Sequence, residues 1–296
     1  MKNYYILGGI LAVLIIIAVA AINESGEQSK SPEVSELLVK LDSVKINKIE
    51  IKNNFGETVT LVKESGGWFV NAPLHYPADK SRISHALGYL PKITVKMIAS
   101  SNPGKQSIFG VASDGVRLKV YEGGSLKADM FVGKPGPDYS SSYLRLASSN
   151  DVVLGSVPLS YIINAPIKDW RDKTIIDIPS ETLNDIYFQY DKEQFNLKSE
   201  FGIWKIDDSP ADSNSVKSLT EALANFKTDF FCDSIPQNLN QTEAEIKFSG
   251  KELRFIPLED DRYYVHTSDS PQWFIVLKGK IQQFLKKKEE LTQKES

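Results

Sequence analysis

The chain writes one pattern twice. "GGWFVNAPLHYPADKSRISHALGYL" (residues 66–90) and "GIWKIDDSPADSNSVKSLTEAL" (residues 202–223) each carry a Trp in an alternating apolar run, then an Ala-Asp pair, then apolar residues at helical spacing. Two more alternating runs precede each Trp: "INKIEIKNN" and "TVTLVKE" before Trp68, "LNDIYFQYD" and "QFNLKSE" before Trp204. Alternation suits a strand with one buried face, and the Asn/Gly/Ser clusters between runs are turn signals, so each set predicts three strands. Asp79 caps a helix with Ile83, Ala86, Leu87 and Leu90 on its inner face, ended by Pro91; Asp212 or Ser213 caps one carrying Val216, Leu219 and Leu223.

The likeness continues. "GVRLKVYEGGSLKADMFVG" reads as a hairpin turning at Gly123-Gly124, and "AEIKFSGKELRFIPL" as its counterpart turning at Ser249-Gly250. "YLRLASSNDVVLGSVPLSYII" (143–163) then matches "YVHTSDSPQWFIVLKGKIQQFL" (264–285) as strand, turn, strand and helical segment. The offset falls from 136 at the tryptophans to 121 because the first copy holds an extra loop, "KPGPDYSSS" (134–142). The predicted fold class is α+β: an N-terminal transmembrane helix followed by two tandem, internally duplicated units of antiparallel strands and helices. The first repeat spans 43–165 and the second 182–290, with a junction at 166–181 and a solvated tail at 291–296. Trp68, Asp79, Trp204 and Asp212 define the repeat. Both tryptophans at matching strand positions point to packing rather than to sugar stacking.

Residues 1–22 form the predicted anchor. Tyr4–Ile22 is 19 residues without a charge, about 28 Å as a helix against the ~30 Å of a bilayer's hydrocarbon core. A charge at mid-bilayer costs roughly 3 kcal/mol, so the absence of all charge carries information. Lys2 before the span and Glu24 and Glu27 after it place the N-terminus in the cytoplasm and the body outside. The alternative is a signal peptide cleaved after the small-x-small Ala18-Val19-Ala20 and a secreted body; the apolar run is longer than usual for that. Residues 23–42 follow as a polar tether and a short amphipathic helix, started by Ser31-Pro32-Glu33 with Val34, Leu37, Leu38 and Leu41 on one stripe.

The formal net charge of -3 gives no basic surplus for phosphate neutralisation, which excludes nucleic acid as a partner. Cys232 is the only cysteine, which excludes an internal disulfide and a thiolate metal cage. His75, His85 and His266 are scattered, Asp207-Asp208 and Asp260-Asp261 read as turn acids, and "GGSLK" and "GKPGPD" lack the remaining residues of a nucleophile elbow or a phosphate loop. No catalytic, cofactor-binding or metal site is assigned, and no cofactor is expected. The candidate partner contacts are Tyr139 and Tyr143 in and beside the inserted loop, since loops carry recognition and tyrosine suits interfaces, together with Arg171. Within "DWRDK", Asp169 and Asp172 are the expected partners of Arg171 in a network that fixes the junction.

The ordered set "W-x-V … YPAD … L-x-x-L", "FGV" at 109–111, "VG" at 132–133 and "DWRDK" at 169–173 resembles the domain-of-unknown-function 4340 family of bacterial membrane-anchored proteins. The resemblance runs from about Ser43 onward and includes the anchor; Trp170 stands where the family pattern more often has Leu. It implies an extracytoplasmic component found beside ABC-type transporter subunits, of the gliding-motility or auxiliary kind, and supplies no catalytic residues. The expectation is a single-pass extracytoplasmic binding or assembly protein, an auxiliary of an ABC-type transporter complex, acting by surface complementarity and not as an enzyme. Its alternatives are an exported envelope-acting enzyme whose site only the fold assembles, and a structural envelope spacer. Oligomeric state stays open.

Overall fold

The computed structural model describes residues 36–71, 75–234, 236 and 241–293. The predicted anchor and most of the tether lie outside the described residues. Among the described residues no helix is long and apolar enough to cross a membrane. The chain is an α+β protein built mainly from antiparallel sheet, and it divides into two compact units. One contains the chain up to Ser65 and Ser81–Ala165; the other contains Gly66–Lys80 and the chain from Pro166 onward.

The first unit grows from β1 (Ile46–Lys52), where Ile49 and Ile51 alternate into the core and Ile46 joins them across a register shift between Ile46 and Lys48; all three are fully buried. It pairs antiparallel with β2 (Thr58–Glu64) on one side and β6 (Val116–Glu122) on the other. Val59 and Leu61, then Val116, Leu118 and Val120, meet the same core. With β7 (Ser125–Pro135), β8 (Ser142–Leu146), β9 (Val152–Gly155) and β5 (Val95–Ser100), the order is β2-β1-β6-β7-β8-β9-β5. Helix α1 (Lys80–Tyr89) buries Ile83 and Ala86, and Leu90 is buried in the 3-10 turn that carries Pro91. A short helix α2 (Leu159–Ile163) closes this unit.

In the second unit the sheet runs β14-β13-β12-β11-β17-β18-β19-β20-β16. The strands are β11 (Asp185–Tyr190), β12 (Gln194–Glu200), β13 (Ile203–Ile206), β14 (Ser209–Pro210), β16 (Phe230–Cys232), β17 (Ala244–Phe248), β18 (Lys251–Leu258), β19 (Arg262–Thr267) and β20 (Trp273–Leu277). Its stretch β12-β11-β17-β18-β19-β20-β16 repeats, strand for strand, the order given above for the first unit. The hairpins β6–β7 and β17–β18 turn alike, through Gly123-Gly124 (φ 56° and 85°) and Ser249-Gly250 (φ 47° and 74°), the paired left-handed residues that match strand twist. A separate pair, β10 (Thr174–Asp177) and β15 (Asn225–Lys227), lies beside helix α3 (Ser213–Ala224), which buries Val216, Leu219 and Leu223 and is capped by the Asp212 carboxylate on the Ser215 N–H at 2.8 Å.

Both Ala-Asp pairs sit in one hydrogen-bond pattern. The hairpin of β3 (Gly67–Val70) and β4 (Tyr76–Pro77) belongs to the second unit. Ala78 N–H donates to the Trp68 carbonyl at 2.8 Å, as Ala211 N–H does to Trp204 at 3.0 Å. Asp79 N–H donates to Trp170 at 2.8 Å, as Asp212 N–H does to Leu291 at 2.7 Å. Ala78 bridges Arg171 and Ala211 bridges Thr292. Trp170 and Leu291, 121 positions apart, are both fully buried. Trp68 and Trp204 are half-buried, and Trp204 packs on the core of the second unit.

Two expectations are corrected. In its described part, the segment expected to be helical before residue 42 is not a helix: it forms a β-bridge at Leu37 followed by bends at 38 and 39. Leu37 bridges Thr94, Leu38 N–H donates to the Ile93 carbonyl at 2.8 Å, and Val95 N–H donates to Glu36 at 3.1 Å. Sheet pairing satisfies backbone groups that a helix of this length holds only marginally. The chain end is not a solvated tail from 291: helices α4 (Lys278–Ile281) and α5 (Lys288–Leu291) bury Ile281 and Leu291, and the following Thr292 and Gln293 pair with Ala211 and Pro210. One leucine in a charged run gave no periodicity to read.

Candidate functional site

Neither of the loop tyrosines reaches the pocket described below. Tyr139 stands at the tip of the inserted loop, 73% exposed, in the left-handed region at φ 56°. Asp138 holds that tip: it accepts from Ser140 N–H at 3.1 Å and from the Ser141 hydroxyl, and pairs with Lys96 at 2.7 Å. The Lys96 ammonium first, then the Ser141 hydroxyl, hold its carboxyl well below the usual range. Tyr143 is not at the tip. It lies in β8 against Phe109, ring centres 4.7 Å apart, beside Val111, Phe131 and Val152.

Arg171 is only 2% exposed, and its partner is not the one expected. Asp169 pairs with Lys173 at 3.0 Å and Asp172 accepts the Thr174 N–H at 3.0 Å, while Arg171 Nη1 reaches Asp233 Oδ1 at 2.6 Å. Arg171 is extended (φ -84°, ψ 144°), so side chains on consecutive residues point apart. The guanidinium lies 5.0 Å from the centre of the Phe231 ring, which Tyr76 meets edge-on at 5.4 Å. Burial first, then the Asp172 carboxylate, pushes the Tyr76 hydroxyl up to about 12.

Tyr76 and Asp233 open onto a cavity of about 460 Å³ within the second unit, lined also by His75, Pro77, Cys232, Ser234, Ser270, Pro271, Gln272 and Trp273. Strand β16 brings Cys232 opposite Trp273 of β20, and the β3–β4 hairpin supplies Tyr76 and Pro77. Gln272 Nε2 donates to the Cys232 and Trp273 carbonyls at 2.6 and 2.7 Å, which fixes the polar wall. The Cys232 thiol donates to the Ser234 carbonyl at 2.9 Å, a contact that does not activate it as a nucleophile. Among the described residues no group of three or more His, Cys, Asp or Glu converges as a metal site. Asp260 and Asp261 are turn residues at positive φ paired with Arg262 and Lys278. The arrangement is suited to binding: aromatic and proline walls, a few fixed polar groups and one charged pair at the edge.

His266 backs this wall, its ring 4.6 Å from Trp273. Burial, then the Arg254 guanidinium, holds the imidazole below its ordinary 6.5, against the opposing pull of Glu252. The unfolded chain therefore takes up a proton at a pH where the folded chain does not. Stability should fall as pH drops below about 6.5 and through the lower folded value. Between pH 7.5 and 5.5 the urea midpoint of the wild type should drop further than that of His266→Gln; parallel midpoints would remove His266 from the pH response.

The fold is that of an antiparallel α+β protein, with a cavity of about 460 Å³ in its second unit. The family described as Domain of unknown function (DUF4340) matches residues 68–245, more than half of the chain, and the chain belongs to that family. No curated protein and no solved structure matches the chain. The matched range includes Trp68, Asp79, Tyr139, Tyr143, Arg171, Trp204 and Asp212, as well as Tyr76 and Asp233 of the pocket.

Proposed function

We propose that this is a membrane-anchored, extracytoplasmic binding and assembly protein, single-pass with its N-terminus in the cytoplasm, whose body is two fused copies of one antiparallel unit. In this reading it is an auxiliary of an ABC-type transporter complex and catalyses no reaction. The observation that carries the binding role is the cavity lined by Tyr76 and Trp273, with Asp233 on its wall paired to the buried Arg171. The anchor is supported by the charge-free Tyr4–Ile22 stretch, and the duplication by the shared strand order and the matched bonds at Ala78-Asp79 and Ala211-Asp212. The transporter association rests on the family resemblance. Tyr139, on a loop tip pinned by Asp138, is the proposed protein contact, while Tyr143 packs against Phe109.

The test is alkaline extraction of membranes, mass spectrometry of the N-terminus, and crosslinking from a photoreactive residue at 139. The proposal expects the chain to stay in the membrane pellet with residues 1–22 retained, the body to be cut by protease added from outside, and one membrane partner to be captured repeatedly. A soluble chain beginning after Ala20, or crosslinks to no partner, would overturn the anchored-assembly reading.

A further inference from the structure

Beyond the cavity at Trp273, we propose a second ligand site, in the first unit, that recognises a small aliphatic carboxylic acid through the Lys134 ammonium. A cavity of about 430 Å³ is lined there by the end of β7 and by helix α2. Lys134 and Pro135 on its wall begin the loop at 134–142, which the later half of the sequence does not repeat. The Lys134 stem lies along this wall: a β-carbon on Gly110, another lining residue, would meet Lys134 Cγ at 3.5 Å. The ammonium has no ion pair or hydrogen bond among the described residues, and Asp138, the acid of the same loop, is taken by Lys96 at 2.7 Å. None of the residues lining the cavity is acidic. An unpaired cation on a wall without carboxylates draws a ligand that brings its own negative charge.

The other polar lining groups have donors to spare. Ser160, only 9% exposed, accepts the Ser142 hydroxyl at 3.1 Å and gives its N–H to the Ser142 oxygen at 3.0 Å, so its own hydroxyl hydrogen is left for a ligand. The Asn164 side-chain oxygen takes the Asn54 N–H at 3.1 Å, which orients the amide, and its NH2 group has no acceptor among the described residues. A carboxylate can accept from the ammonium, the hydroxyl and the amide, whereas a neutral amide would set its own NH2 against them. A lone cation also matches a monocarboxylate better than a phosphate dianion. The rest of the ligand meets apolar wall: Val116 and Val132, partners across β6–β7 and both buried, with Pro135 beside them. A short branched aliphatic body suits that surface.

The test uses ligand-titration NMR on the purified full-length chain with isovalerate, its uncharged isostere isovaleramide, and isobutyl phosphate. Isovalerate should bind about tenfold more tightly than the amide, the worth of one charge-assisted hydrogen bond. Lys134→Met keeps the stem and removes the charge, and should bring the acid down to the amide's affinity; Lys134→Arg should restore most of the preference. Asn164→Asp keeps an acceptor for the Asn54 N–H and replaces the NH2 group by a negative oxygen, so it should weaken isovalerate about fivefold. Equal binding of acid and amide, or a preference that survives Lys134→Met, would overturn the proposal. Isobutyl phosphate binding more tightly than isovalerate would overturn the assignment to a carboxylic acid. Failure of all three probes to bind would remove the first-unit cavity as a ligand site, and would leave the reading of the cavity at Trp273 as it stands.

Discussion

Replacing Trp170 with Ala should cost the folded chain about 3–5 kcal/mol, read as a lowered urea midpoint in far-UV circular dichroism. Trp170 is fully buried at the end of the 3-10 turn Ile167–Trp170, and its carbonyl receives the Asp79 N–H at 2.8 Å. The substitution keeps that backbone bond and removes the ring, so the loss measures packing and the cavity left behind. Leu291 holds the matching place, buried, with its carbonyl 2.7 Å from the Asp212 nitrogen. Leu291→Ala should therefore also be severe, at about 2–5 kcal/mol. Trp170→Leu installs at 170 the residue that stands at 291 and should recover more than half of the Trp170→Ala loss. A Trp170→Ala loss under about 1 kcal/mol would show that the ring closes no core. Trp170→Leu as damaging as Trp170→Ala would break the correspondence between the two turns.

That correspondence also shows where the sequence could be read and where it could not. The alternating runs at 46–52, 116–122 and 185–190 were legible because one face of each strand meets a core, and burial forces a period of two. The Ala-Asp positions were legible because they recur before a helical stripe. Residues 36–42 were misread because the isolated stripe carries no information about an adjacent strand offering backbone partners at Ile93 and Val95. The pocket was hidden for a different reason. Tyr76, Arg171, Asp233 and Trp273 come from four separated segments, and no local pattern marks residues that meet only through the sheet. Arg171 drew notice for its charge amid "DWRDK", yet its partner lies 62 positions away rather than next door. The exposed Tyr139 followed from its loop, whereas Tyr143, one residue into β8, turned inward with the strand.

The motifs "FGV" and "VG" acquire a physical meaning when Gly133 is replaced by Ala, which should cost about 3 kcal/mol. A 3-10 helix at Pro103–Phe109 ends on Gly110, at φ 74°, the left-handed cap that favours glycine. This turn places the Phe109 carbonyl where a β-carbon on residue 133 would stand. A β-carbon at 133 would overlap that carbonyl oxygen and sit 2.7 Å from Val111 Cγ1 and 3.1 Å from the Phe109 carbonyl carbon. The obstacle is backbone, which cannot rotate aside. Val111 behind it is fully buried, and its own carbonyl is held by Arg145 Nε at 2.8 Å. Overpacking of this kind costs roughly 1–3 kcal/mol, and the rigid neighbours put Gly133→Ala at the upper end. The same substitution should have the opposite sign at Gly88, which lies in helix α1 with open space around its β-position. There Ala should stabilise by about 0.5–1 kcal/mol. Urea denaturation of the two variants side by side separates a steric effect from a general response to losing glycine. If Gly133→Ala lay within about 1 kcal/mol of the wild type, the Phe109 turn would have to yield, and the close approach would not be what this glycine is for.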